Sequence, residues 1–129
     1  MRVRPWGGDR GSAAVEFVLV APLVMLLLAG ILQIALAMHV RATLTSAAAE
    51  GARAASLAGA DPQAGVVRAR SLVEQTLVAS IIRDVTATAG TAGPVDVMIV
   101  RIEADLPLVG LLGPAALTVE GRALQEGWT

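Results

Sequence analysis

From Phe17 to Met38 the chain runs for 22 residues without a Lys, Arg, Asp or Glu. As a helix such a run is about 33 Å long, which matches the hydrocarbon core of a bilayer. A chain of 129 residues has room for one such span and one small domain. At the mouth of the run stands a carboxylate, Glu16. An acidic side chain costs up to about 3 kcal/mol at the bilayer centre and less near its edge, and by default it marks a functional site whose partner must be found. Arg2, Arg4 and Arg10 precede the run and only Arg41 closely follows it. That asymmetry predicts a cytoplasmic N-terminus, with the rest of the chain on the far side of the membrane.

Within the run, Pro22 removes a backbone hydrogen bond and predicts a bend near Val18, a feature membrane helices tolerate. Gly30 and Gln33 are its other irregularities, and Gln33 is suited either to a hydrogen bond across a helix pair or to the lipid interface. His39 marks the outer edge and reads as an interfacial residue rather than a metal ligand. An ordinary secretory signal is the rival interpretation, since Ala35-Leu36-Ala37 offers a cleavage-like site. The apolar core is longer than the roughly 7–15 residues of a signal's h-region, and Glu16 has no role in such a signal.

The helical pattern continues from Arg41 to about Ala58. Ala47, Gly51, Ala55 and Gly59 recur every fourth residue and form a small-residue stripe over which another backbone can approach closely. Gly51 in mid-helix costs about 1 kcal/mol relative to Ala, which favours a packing role. Glu50 and Arg53, three apart, are placed to pair. Gly59-Ala60-Asp61-Pro62 reads as a turn with a capped helix start, Asp61 at the cap and Pro62 in the first position. The pattern predicts a second helix from there to about Arg83, burying Val66, Ala69, Val73, Leu77 and Ile81 and leaving Arg68, Glu74 and Gln75 in solvent.

Period two then takes over. Val85, Ala87 and Ala89 alternate with Asp84, Thr86 and Thr88 in a strand ending at Gly90, and Gly93-Pro94 makes a turn. Met98, Val100, Ile102, Ala104 and Leu106 oppose Arg101, Glu103 and Asp105 in the clearest strand. A third, Leu117 to about Gln125, sets Leu117, Val119 and Ala123 against Thr118, Glu120 and Arg122. The expected fold is therefore α+β: a long N-terminal membrane helix, a further helix, then a three-stranded antiparallel sheet with one face against the second helix. Aromatic residues are confined to Trp6, Phe17 and Trp128, so the domain's core must be small and aliphatic. Between the last two strands the proline-bounded loop holds Leu108, Val109, Leu111 and Leu112, more apolar than a solvated turn requires. It suits either a partner contact or a lid over the small core.

The chemistry of catalysis is not written in the chain. It has no Cys, no Lys and one His, so neither the common nucleophilic triads nor a paired His/Glu zinc motif can be assembled. Gly90-Thr91-Ala92-Gly93 lacks the phosphate-loop fingerprint. Glu103 and Asp105 share a strand face about 7 Å apart and read as a solvated surface rather than a calcium site. With a formal charge of −1 and no basic cluster, nucleic acid is not an expected partner. We expect no metal, no cofactor and no enzymatic activity.

Gly11-Ser12-Ala13-Ala14-Val15-Glu16-Phe17 ahead of an apolar helix resembles the processing site of type IV prepilins and pseudopilins. The segment Leu44-Thr45-Ser46-Ala47-Ala48-Ala49-Glu50-Gly51-Ala52-Arg53 resembles the stretch after the membrane helix in TadE-like proteins, short pseudopilins of the tight-adherence (Flp) pilus system. Phe17 stands where many relatives have Tyr. The short soluble region fits the TadE-like type better than the longer TadG-like proteins, while TadF-like proteins share the same plan.

The resemblance implies a pilin-like fold and a structural role in pilus biogenesis or adherence. It also implies cutting between Gly11 and Ser12 by a membrane-embedded prepilin peptidase, with Glu16 and Phe17 serving recognition and assembly. Cutting there creates an amine at Ser12, with a pKa of about 8, one helical turn from Glu16. The implied partners are that peptidase, the major Flp pilin, a companion TadF- or TadG-like pseudopilin, and membrane lipid. The expected organisation is a cytoplasmic leader (1–11), a transmembrane helix (12–40) and an extracytoplasmic α+β domain (41–129), in the bacterial inner membrane or incorporated in the pilus. The alternatives are an unprocessed, membrane-anchored binding module and a secreted domain released by signal peptidase.

Overall fold

A computed structural model of the chain describes residues 8–57, 59, 61–76, 79–106 and 115–125, with the backbone alone for 8–10. It divides into two compact units, Met1–Ala35 and Leu36–Thr129. Helix α1 (Gly8–Leu57) is the described part of the first unit and begins the second. It remains helical through Pro22.

Among the described residues of the first unit the large apolar side chains are uncovered. From Val15 to Ile34 every Val, Leu, Ile, Met and Phe is at least half exposed, on all sides of the helix. A helix apolar all round needs an apolar surrounding, and this one fits a membrane anchor. Among the described residues α1 is the helix long and apolar enough to cross a membrane, with a mean hydropathy of 2.6 over its most apolar window.

The second unit is the α+β domain that the periodicities predict. Helix α2 (Pro62–Glu74) starts as expected: Asp61 is extended (φ −92°, ψ 108°) and its carboxylate accepts the Gln63 amide at 3.0 Å. Such a cap contributes about 1 kcal/mol. The helix is shorter than its apolar spacing suggests and stops at Glu74 rather than near Arg83. Thr76 ends it, donating both its amide (2.9 Å) and its hydroxyl (2.7 Å) to the Val73 carbonyl. A single 3-10 turn, Ala79–Ile81, comes next. Ile81 does reach the core, but from that turn, and Leu77 lies outside the described residues. The fourfold spacing continues past the true end because the next element also presents an aliphatic side chain inward.

Strands β1 (Ile82–Ala92), β2 (Val95–Leu106) and β3 (Ala115–Leu124) form an antiparallel sheet in the order β1-β2-β3. Strand β1 runs two residues beyond Gly90 and pairs Ala92 with Val95 across Gly93-Pro94. Gly93 has φ 64° and Pro94 has a fixed negative φ, the sign order of a type II′ hairpin turn, whose twist matches the strands it joins. A register irregularity between Ile82 and Asp84 interrupts the first pairing at Arg83.

The core lies between one face of this sheet and the two helices. Val40, Leu44, Ala47, Ala48 and Ala52 come from α1, Ala69 and Val73 from α2, and Val85, Val100, Ile102, Ala104 and Val119 from the sheet. Its largest fully buried side chains are Leu44, Met98, Ile102, Val40 and Val100. With alanines rather than aromatics inside, the layers must approach closely to exclude water. No polar or charged residue among those described is buried.

Candidate functional site

The first site candidate is the segment from Gly11 to Phe17. All seven residues are helical and exposed. Gly11 lies near the start of the described range of α1. The Gly11–Ser12 bond is in helical geometry. A Cβ added at Gly11 would meet nothing within 4 Å, so no packing within the fold demands glycine there.

Glu16 follows Ser12 by four residues, which places their Cβ atoms about 5–6 Å apart on one helix face. Side chains lean toward the helix N-terminus, so the Glu16 carboxylate extends over the turn that holds Ser12. Between Arg10 and Arg41 it is the sole Asp, Glu, Lys or Arg. The five ion pairs among the described residues all lie in the second unit, between residues 50 and 122. Phe17 is 72% exposed and presents its ring to the surroundings of the helix.

The second candidate, the small-residue stripe, is placed in the domain. Ala47, Gly51 and Ala55 are buried, and Gly51 meets α2 at Gly65. A Cβ on Gly51 would stand 2.8 Å from the Gly65 carbonyl oxygen and 3.0 Å from the Ala69 Cβ. A Cβ on Gly65 would stand 2.9 Å from the Ala55 Cβ and 3.0 Å from the Gly51 oxygen. The two helices thus touch backbone to backbone. Gly59 lies beyond α1, exposed, with φ 74° in the turn before α2. Glu50 and Arg53 are paired at 3.4 Å.

A third glycine, Gly121 in β3, is not singled out by the apolar pattern, although it lies in register with the inward-facing Val119 and Ala123. A Cβ there would overlap the α1 backbone at Ala48 and Ala49. The sequence does carry its signal, since glycine inside a strand marks the close approach of another backbone.

Leu108, Val109, Leu111 and Leu112 lie outside the described residues. On the outer sheet face Asp105 is held by Arg83 at 2.7 Å, and Glu120 is shared by Arg101 and Arg122. Among the described residues no group of three or more His, Cys, Asp or Glu is placed to hold a metal ion. His39 is exposed, and its carbonyl accepts the Thr43 hydroxyl at 2.9 Å.

Neither the curated proteins nor the solved structures contain a match to this chain. Residues 11–53, however, match the family model described as TadE-like protein, so the apolar helix and the small-residue segment after it are similar to that family.

Proposed function

We propose that this chain is a minor pseudopilin of a tight-adherence pilus, anchored by α1, cut after Gly11 by a prepilin peptidase, and structural rather than catalytic in its work. The family match supports association with the Tad pilus machinery. The finer reading rests on one observation: Glu16, the sole charged side chain between Arg10 and Arg41, sits one helical turn after the Gly11–Ser12 bond at the start of the apolar run. Cutting at that bond supplies a cationic amine on the same helix face, and the helix dipole adds partial positive charge at the same end. Glu16 then meets lipid partly neutralised, either within its own chain or against the amine of a neighbouring subunit. Peptidase, major pilin and companion pseudopilin are the partners this reading requires.

N-terminal sequencing of the protein recovered from its native membrane tests it. The proposal expects a chain beginning at Ser12. A chain beginning at Met1 identifies an uncut anchor, and one beginning at Met38 a secreted domain. Gly11→Ala should insert and fold normally, because the position is open, yet accumulate uncut. Glu16→Ala should insert at least as well as the parent and fail to support pilus formation; normal pili from that variant would remove the docking role.

A further inference from the structure

Between Asp84 and Asp96 the chain carries no ionisable side chain, and β1 spans most of that stretch as an edge strand of the sheet. We propose that the outer edge of β1, from Ala87 to Thr91, takes an uncharged extended segment of a partner protein as a fourth strand.

Hydrogen-bond direction identifies the open groups. Along an antiparallel strand, successive residues turn their backbone N–H and C=O alternately to one side and the other. The Asp96 carbonyl accepts the Gln125 amide at 2.9 Å, so the even-numbered residues of β2 address β3. Its odd-numbered residues therefore address β1, where the register sets them opposite Thr86, Thr88, Gly90 and Ala92. Val85, Ala87, Ala89 and Thr91 then direct their own groups away from the sheet. Val85 supports this independently: its amide donates to the Asp84 carboxylate at 2.9 Å, as an amide turned away from β2 can. With Asp84 capping one end and the Gly93-Pro94 turn closing the other, the open edge consists of Ala87, Ala89 and Thr91. Among the described residues β1 pairs with β2 alone, and Ala89 and Thr91 are exposed.

That edge calls for an extended backbone. Donors and acceptors repeated at every second residue, about 6.8 Å apart, are matched by another strand. Sequence selects an uncharged one. Natural edges are commonly guarded by charged side chains, proline or bulges. The opposite edge strand, β3, carries Glu120 and Arg122 along its length, whereas the irregularity and the acidic cap of β1 lie only at its start. From Thr86 to Ala92 no side chain is larger than threonine. A charge on the incoming strand would find no counter-ion along that stretch, while β-branched side chains pair well across strands with threonine. β1 lies wholly in the second unit, so the proposal does not depend on processing at Gly11.

The test uses the full chain in nanodiscs of neutral phosphatidylcholine and a fluorescein-labelled peptide alternating valine and threonine, read by fluorescence anisotropy. The same peptide N-methylated at every backbone nitrogen is the control. The first should bind and the second should not, and peptides with glutamate or lysine for threonine should bind more weakly than the first. Ala89→Pro and Thr91→Pro each remove an outward amide, a change that an edge strand tolerates. Each should weaken binding by about tenfold, as for one hydrogen bond lost with its acceptor left unmet, with unchanged circular dichroism. Thr118→Pro, outward on the β3 edge by the same alternation, should leave binding unchanged. In the unsubstituted chain the peptide should slow hydrogen exchange at the Ala87, Ala89 and Thr91 amides and not at Thr118 or Arg122. Failure of the valine-threonine peptide to bind, equal binding of its N-methylated form, tighter binding of a charged peptide, or slowed exchange on β3 instead of β1 overturns the proposal. So does full binding by both β1 variants. Self-association of the parent chain that Ala89→Pro abolishes would make a second copy the occupant and overturn it as well.

Discussion

At the scale of single residues, glycine sets how closely this domain can close. Gly51, Gly65 and Gly121 are each placed where a methyl group would meet another element, but the obstacles differ in stiffness. For Gly121→Ala the obstacle is the hydrogen-bonded backbone of α1 at Ala48 and Ala49, which cannot move without shifting the core residues on either side. We expect a loss of about 3 kcal/mol or more, the upper end of overpacking costs, seen as a large drop in the urea midpoint of the detergent-solubilised chain. Gly51→Ala gains about 1 kcal/mol of helix propensity and loses about 1–3 kcal/mol to the crowding of Gly65 and Ala69. Its net effect should be a milder destabilisation in the same assay. Gly51 is legible in the sequence because a mid-helix glycine conflicts with local propensity. Gly121 is harder to read, because alternation along β3 is judged by the side chains that are present and a missing one draws no attention.

At the scale of elements, the outer sheet face carries its charges in cross-strand pairs. Arg101 in β2 stands opposite Glu120 in β3, so the register itself brings the pair together. The hydrogen bonds from Arg101, and then those from Arg122, hold the Glu120 carboxyl below the ordinary glutamate value. Because the folded-state value is depressed, this group's support for the fold is in place above the unfolded carboxyl's pKa of about 4.3 and is lost as pH falls through the lower folded value. NMR titration of the Glu120 side-chain carboxyl should give a midpoint below that of a glutamate in an unstructured peptide. Arg101→Gln should move it back toward the peptide value, and added salt should do the same in part. The alternation that makes this pairing possible is readable from residues 98–106 and 117–123, since period two is a local property of the chain. The end of α2 is not readable in this way. It depends on Thr76 turning back onto Val73, a competition between side-chain and backbone hydrogen bonding that apolar spacing does not register.

At the scale of the whole molecule, one helix carries an exposed apolar stretch and a buried one, and the division falls within a few residues. Met38 is 68% exposed, whereas Val40 is 2% and Leu44 0% exposed. The residues that close the apolar run are thus succeeded at once by residues that found the aliphatic core. The expected boundary near residue 40 comes from the end of the hydropathy run, but hydropathy alone cannot tell an apolar side chain meant for lipid from one meant for a core. The contact boundary falls earlier, between Ala35 and Leu36. The domain's independence therefore depends on where α1 is cut. A chain truncated to begin at Leu36 retains every α1 residue of the core, while one beginning at Thr45 lacks Val40 and Leu44. Burying each such side chain contributes about 1.5–3 kcal/mol, so their joint loss is comparable to the whole stability of a small domain, about 5 kcal/mol at the low end. In the same mild detergent, the chain from Leu36 should melt cooperatively by circular dichroism, and the chain from Thr45 should show no sigmoidal transition. Equal melting of the two would mean that Val40 and Leu44 contribute nothing to the stability of the domain. The predicted difference instead makes Val40 and Leu44 part of the folded domain, whose core begins two residues after the apolar run closes at Met38.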